Sequence, residues 1–251
     1  RQSIVDAAHK AAEQPIYKDN TTEPARTWLL PAPGKWLPSD PPTVPQDFVL
    51  RRFVLTWCLN EAFLDEGIGH KMAMFYQQYF ITTASTSTNS AFFDYLSLIR
   101  WGALGNFKKL ANKMISDNNM LRYLNNNTNT KANPNENFAR EFLELFTIGK
   151  GPQVGPGDYT NYTEDDIVQA ARVLTGFRTR YDRTMIDPET GIPHGIVTPT
   201  AAIFRTQHDT GDKQFSARFQ NTVITGAQTP VDFQKEIDAF VNMIFAQAET
   251  A

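Results

Sequence analysis

Eight polar residues in two short stretches carry the chemistry this sequence could do. Asn137, Arg140, Glu141 and Glu144 lie in NPNENFAREFLELFTIG, residues 133–149, and His208, Asp209, Asp212 and Lys213 lie in FRTQHDTGDKQF, residues 204–215. Carboxylates and an imidazole this close together suit a hard divalent cation or a proton-transfer site. The spacing in the second stretch matches neither an EF-hand loop nor a zinc motif. An Asp-rich turn, bonding its own backbone, would use the same residues. If Glu141 and Asn137 joined His208, Asp209 and Asp212, the group could hold a cation that activates water, as in a metal-assisted hydrolase. That arrangement requires the first stretch and the 204–213 loop to meet.

The first stretch must be a helix, and its composition predicts the ends. Asn133 suits an N-cap, Pro134 the first helical position, and Glu136 the position that reaches back to the cap. Gly149 suits the left-handed residue that closes a helix. At about 100° per residue, Phe138, Phe142, Leu145 and Phe146 share one face. Glu136, Arg140 and Glu144 fall opposite, spaced by four, as a solvated ion-pair stripe. Glu141 falls at the margin of the apolar face, one turn above Asn137. A carboxylate there is partly buried and needs a partner. Arg140, Arg172 and Lys213 are the structural choices, and a ligand or an acid/base role is the functional one.

The elements around these residues read as follows. Residues 1–14 form a short helix. Residues 15–45, rich in Pro and carrying Trp28 and Trp36, exclude long helix and wrap the surface. Apolar residues recur at helical spacing over 46–66, 69–84 and 89–101, and a further helix follows Gly105-Asn106. Within 69–84, Met72, Phe75, Tyr76, Tyr79 and Phe80 form one side, best explained as core packing. A short helical piece ends near Leu124, and NNNTNTKAN is a loop containing the sequon Asn126-Asn127-Thr128. GKGPQVGPGDYTNY is a Gly/Pro loop. TEDDIVQAARVLTG is a helix with Thr163 as N-cap, an acidic first turn and Gly176 past its last turn. Residues 177–230 lose helical period, and GIVTPT and NTVIT leave room for one small β-hairpin. A last amphipathic helix runs through DFQKEIDAFVNMIFAQAETA. The fold class is therefore mainly α: a multi-helix array with long irregular loops, divided into a 1–45 wrapping segment and a 46–251 helical domain. The helix beginning at Pro134 is expected at the centre, with 46–66, 69–84 and 163–175 around its Phe138/Phe142/Phe146 face.

Composition narrows the function classes. Of 251 residues, 41% are hydrophobic and 20% charged, as in an ordinary globular chain, and the formal net charge of -3 offers no basic stripe for nucleic acid. No apolar run reaches the length of a membrane span. Cys58, the single cysteine, excludes an internal disulfide or a thiolate metal cluster and reads as a buried thiol. His70 reads as a capping or packed histidine, while His9 and His194 carry no motif. No G-x-S-x-G, Walker A, H-E-x-x-H or Rossmann fingerprint is present. Both ends look cut, so the chain reads as one portion of a longer protein.

Four blocks carry a family resemblance. ALGNFKKLANKMISDNNMLRYLNN, NPNENFAREFLELFTIG, YTEDDIVQAARVLTGF and FRTQHDTGDK resemble, in order, the signature blocks of the DUF1800 proteins, large bacterial proteins of uncharacterised function. The resemblance runs from about residue 48 to the C-terminus. It implies an exported protein, in the periplasm, at the outer membrane surface or outside the cell. It also implies further helices after FVNMIFAQAETA. Family members often show a Trp-His-Asn-His-like run where this chain has Tyr76-Gln77-Gln78-Tyr79, which weakens any histidine–metal reading here. Two functions are expected from these observations. The first is a non-enzymatic binding or scaffolding protein of the cell envelope or surface, with protein partners, its polar blocks serving as internal networks. The second is the metal-assisted hydrolase described above.

Overall fold

A computed structural model describes residues 68–197 and 201–250. The readings of residues 1–14, 15–45 and 46–66, of Cys58 and of His9 lie outside these residues. The described residues form eight α-helices joined by irregular segments and small two-stranded sheets, which is the mainly α class expected. No helix among them is long and apolar enough to cross a membrane. The chain divides into two compact units. The described part of the first comprises residues 68–120 and 180–195, and that of the second 121–179, 196–197 and 201–250.

In the first unit, α1 (Gly69–Tyr79) packs on α2 (Asn89–Gly102), which packs on α3 (Phe107–Met114). Helix α1 stops at Tyr79 rather than 84. Thr83 Oγ1 lies within hydrogen-bonding distance of the hydroxyls of Ser85 and Thr86, so this Ser/Thr run bonds to itself and competes with helical backbone. Phe80 is fully buried and Tyr76 stacks on Phe107, but Phe75 is 55% exposed, so only part of the expected aromatic side is core. His70 is buried, as a packed histidine. The other helix starts follow from their caps: Thr88 Oγ1 accepts Ala91 N–H at 3.1 Å and Asn106 Oδ1 accepts Lys109 N–H at 3.0 Å. Segment 180–195 is held on this unit by reciprocal bonds between the Asn118 amide and the Arg180 backbone. Ion pairs from Lys113 to Asp187 and from Lys109 to Glu189, each 2.6 Å, add to the hold. Arg183 forms a bidentate buried pair with Asp94, at 2.7 and 3.1 Å.

The chain passes between the units through α4 (Asn118–Tyr123), whose first turn is capped by Asp117 through Met120 N–H at 2.7 Å. Burial pushes the Asp117 carboxyl up to about 7; the Met120 and Asn119 N–H bonds pull it down, and the nearby Asp94 carboxylate adds repulsion. Folding therefore favours the neutral acid over the unfolded chain, where the ordinary value is 3.8. This contribution is full below the unfolded value and is lost as pH rises towards the folded one. Urea unfolding of the full chain is thus expected to show stability falling between mildly acidic and neutral pH, with that dependence flattened in Asp117→Asn. An unchanged pH profile in the variant would show that Asp117 is not its source.

The second unit contains α5 (Asn137–Glu144), α6 (Glu164–Val173), α7 (Ala201–Gln207) and α8 (Pro230–Ile244). Three antiparallel pairs accompany them: β1 (Gln153–Gly155) with β2 (Asp158–Tyr159), β3 (Phe177–Arg178) with β4 (Ile196–Val197), and β5 (Lys213–Gln214) with β6 (Val223–Ile224). The β-prone runs GIVTPT and NTVIT supply β4 and β6; β6 pairs with the nearby β5, whereas β4 pairs with β3 at the other end of the 179–195 segment. The extra hairpin, β1/β2, arises in the Gly/Pro loop, where Gly157 supplies a positive φ of 65°.

Helix α5 presents Phe138, Phe142 and Phe146 to the core as expected. Phe138 stacks on Phe142 at 6.0 Å between ring centres, and Phe142 meets Phe240 of α8 at 5.8 Å. Within this unit the covering elements are α6 and α8; α1, named from sequence for this face, belongs to the first unit. Leu145 departs from expectation too. It is 51% exposed because regular helix ends at Glu144 and Leu145 is already the cap.

Candidate functional site

The start of α5 is set by a loop residue and not by Asn133. Asn133 bonds back to Thr130 through its backbone and so belongs to a turn over 130–133. The helix begins at Asn137 with Glu136 at the cap position and no side-chain cap bond, so no capping box forms. Asn135 Oδ1 instead accepts Asn137 N–H at 3.0 Å. The organiser is Asn129, which is fully buried. Its Oδ1 accepts Asn135 N–H, its Nδ2 donates to Ala171 O in α6 at 2.8 Å, and its backbone carbonyl accepts Gly176 N–H at 2.9 Å. Asn126, the sequon asparagine, is itself 1% exposed beneath this network. At the other end Gly149 has φ 72° and donates its N–H to Leu143 O, closing the helix after an irregular turn.

The expected stripe is redistributed. Arg140 pairs bidentately with Glu164 of α6, at 2.9 and 2.6 Å, and only loosely with Glu136, at 3.6 Å. Glu164 is held below the usual carboxylate range by that guanidinium. Both partners are about a third exposed, so the pair contributes no more than about 1 kcal/mol. Glu144 accepts the Tyr162 hydroxyl at 2.8 Å and lies 3.4 Å from Lys150. Asn137 is exposed and donates to Leu124 O at 3.3 Å.

Glu141 is half-buried, and its side chain has no hydrogen bond or ion pair among the described residues. Burial raises its carboxyl, Glu144 adds to the rise and Arg140 counters it. Of the partners weighed from sequence, Arg172 and Lys213 are both engaged elsewhere, and Arg140 turns to Glu164. Glu141→Gln is therefore expected to change unfolding free energy by no more than about 0.5 kcal/mol. A loss well above that in urea unfolding would reveal a partner this geometry does not contain.

The second stretch is a lock between elements. Arg172 of α6 donates from Nε to Asp209 Oδ2 at 2.7 Å and from Nη1 to Gln169 at 2.6 Å. Burial would raise Asp209, but Arg172 and the Gly211 N–H outweigh it and hold the carboxyl below its ordinary value. Asp212 Oδ1 accepts Gly226 N–H at 3.0 Å. Gly226 lies so close to the 210–211 backbone that a Cβ would sit 2.4 Å from Thr210 O. His208 and Lys213 are fully buried and meet on one carboxylate, Glu236 of α8. Burial pushes the Lys213 ammonium down, and Glu236 offsets only part of that. His208 Nδ1 lies 3.0 Å from both the carbonyl and the hydroxyl of Thr175. Since the carbonyl can only accept, Nδ1 carries a proton.

The eight sequence candidates thus separate into local sets. Arg140 and Glu144 tie α5 to the 162–164 segment; Asp209 ties to α6; His208 and Lys213 tie to α8; Asp212 ties to the Gly226 turn; Asn137 bonds to Leu124 O, and Glu141 feels the charges of Glu144 and Arg140 without bonding to either. No group of three His, Cys, Asp or Glu side chains among the described residues is placed to hold a metal ion. Sequence reading missed Glu236, Asn129, and Asp166 with Ser216. Glu236 had a legible signal: it interrupts the apolar face formed by Phe233, Ile237 and Phe240 in α8. Asp166 accepts Thr163 N–H at 2.8 Å in a capping box and also takes Ser216 N–H and Oγ–H, both at 2.7 Å.

Helices α5 and α6 and the 208–213 loop, joined by these bonds, come from three of the four blocks that carried the family resemblance. A family model described as a protein of unknown function, DUF1800, matches residues 5–251. The chain belongs to the DUF1800 family. Comparison with curated proteins and with solved structures finds no match. In this DUF1800 chain, the NENFARE block supplies α5, the TEDD…ARVLTG block supplies α6 and its capping box, and the HDTGDK block closes onto α6 through Asp209 and onto α8 through Glu236.

Proposed function

We propose that this DUF1800 protein is an exported binding or scaffolding protein of the cell envelope or surface, working through protein partners. The observation that supports this reading is where its chemically capable side chains are spent. His208, Lys213, Asp209, Asp212 and Arg140 each hold one element to another, and a group held by buried or bidentate bonds serves rigidity. The exported setting is carried over from the family resemblance. A metal-assisted hydrolase would need Glu141 and Asn137 to join the 208–212 loop, and Glu141 shares no hydrogen bond or ion pair with that loop.

The test is fractionation of native cells followed by affinity capture of the full chain from the envelope fraction under non-denaturing conditions. The proposal expects the protein in an exported fraction, bringing down one protein partner reproducibly and in fixed ratio. Recovery from the cytosol, or recovery alone from the envelope fraction, would count against it.

A further inference from the structure

The geometry points to a covalent modification site: a side-chain amide between Lys213 of β5 and Glu236 of α8. The two side chains are 0% and 1% exposed, and Lys213 Nζ lies 2.6 Å from Glu236 Oε1. Apart from this contact, Oε1 is buried with no partner among the described residues. The two carboxylate oxygens are treated very differently. Oε2 accepts Ala227 N–H at 2.6 Å and faces His208 Nε2 at 3.0 Å.

Each neighbour has a part in amide formation. A proton on His208 Nε2 is aimed at Oε2 alongside the Ala227 N–H. Oε2 therefore has two donors, the arrangement that stabilises an oxyanion in acyl transfer. Lys213 Nζ donates one N–H to Asp209 O, which holds the amine in place. Phe204 stacks on the imidazole at 4.8 Å and Phe233 meets it edge-on at 4.9 Å, so aromatic rings wall the site. Two opposite charges so buried are costly to desolvate, and an amide replaces them with a neutral group. Burial also favours the neutral amine, whose lone pair is the nucleophile.

The step balances without a co-reactant. One proton passes from the Lys213 ammonium to Glu236 Oε1. The Nζ lone pair bonds to Glu236 Cδ, and the Cδ–Oε2 π pair moves onto Oε2, held by Ala227 N–H and His208. A second proton passes from Nζ to Oε1. The Cδ–Oε1 bond breaks, one water leaves, and the carbonyl re-forms at Oε2. His208 ends with the protons it began with. The product closes a covalent loop over residues 214–235 and restrains the unfolded chain as a disulfide does.

Intact mass of the folded, purified full chain, measured under denaturing conditions, tests this. The expected mass is lower than that of the unmodified sequence by one water. Proteolysis should yield a branched peptide joining the Lys213 and Glu236 segments. Lys213→Arg, which keeps the charge, should restore the full mass and abolish the branched peptide. A native chain at full mass after prolonged incubation in the folded state overturns the inference. So does a water loss that maps to any other pair of residues.

Discussion

Glu236→Ala is expected to lower the unfolding free energy by about 3–5 kcal/mol, the usual cost of removing one partner from a buried charged set. Glu236 is 3% exposed and is the common acceptor for Lys213, His208 and Ala227 N–H. Its loss would strand Lys213, His208 and a backbone donor away from water, and would also remove the amide inferred above. Equilibrium unfolding in urea measures the effect. Lys235→Ala, next in sequence but with a side chain 81% exposed, serves as the control and should stay within about 0.5 kcal/mol. The double variant Lys213→Met/Glu236→Met should recover part of the loss, because apolar groups of similar volume can replace a buried pair. A loss below about 1 kcal/mol for Glu236→Ala would mean that water reaches the site or that the set carries little of the fold.

Asp166→Ala should be nearly as damaging, at about 2–4 kcal/mol. The capping box accounts for about 1 kcal/mol of that, and the stranded Ser216 N–H for about 1–3 kcal/mol more. Asp166 is 1% exposed and accepts from Thr163 and Ser216, two residues far apart in the chain. Thr163→Ala removes only the local half of this arrangement and should cost about 1 kcal/mol. Thermal or urea unfolding of the two variants side by side separates the contributions. Equal losses would show that the Ser216 bonds add nothing.

What the sequence disclosed and what it hid divide along chain separation. The N-cap at Thr163 with its acidic first turn, the closing glycines Gly149 and Gly176, the start of α2 and the Phe138/Phe142/Phe146 face are local patterns, and all are found. The start of α5 was misplaced because Asn129, six residues upstream of Asn135, takes over the backbone of the turn. Leu145 was misplaced because the helical count was carried past the end of α5. The partners of the polar blocks lie at separations no local pattern encodes: Arg172 with Asp209 across 37 residues and His208 with Glu236 across 28. Glu236 alone could have been suspected, as a carboxylate on an apolar helix face. Glu141, at the margin of the apolar face, makes no side-chain hydrogen bond or ion pair among the described residues.

The central claim is that the signature blocks of this DUF1800 chain hold one another in place. A double-mutant cycle on Arg172→Ala and Asp209→Ala, read by urea unfolding, addresses it most directly, because this pair joins two of those blocks. A coupling energy of about 1–3 kcal/mol is expected, within the range for bonded neighbours. Additivity within about 0.3 kcal/mol would contradict it, and would mean that the two blocks are placed near each other for some purpose other than holding the fold.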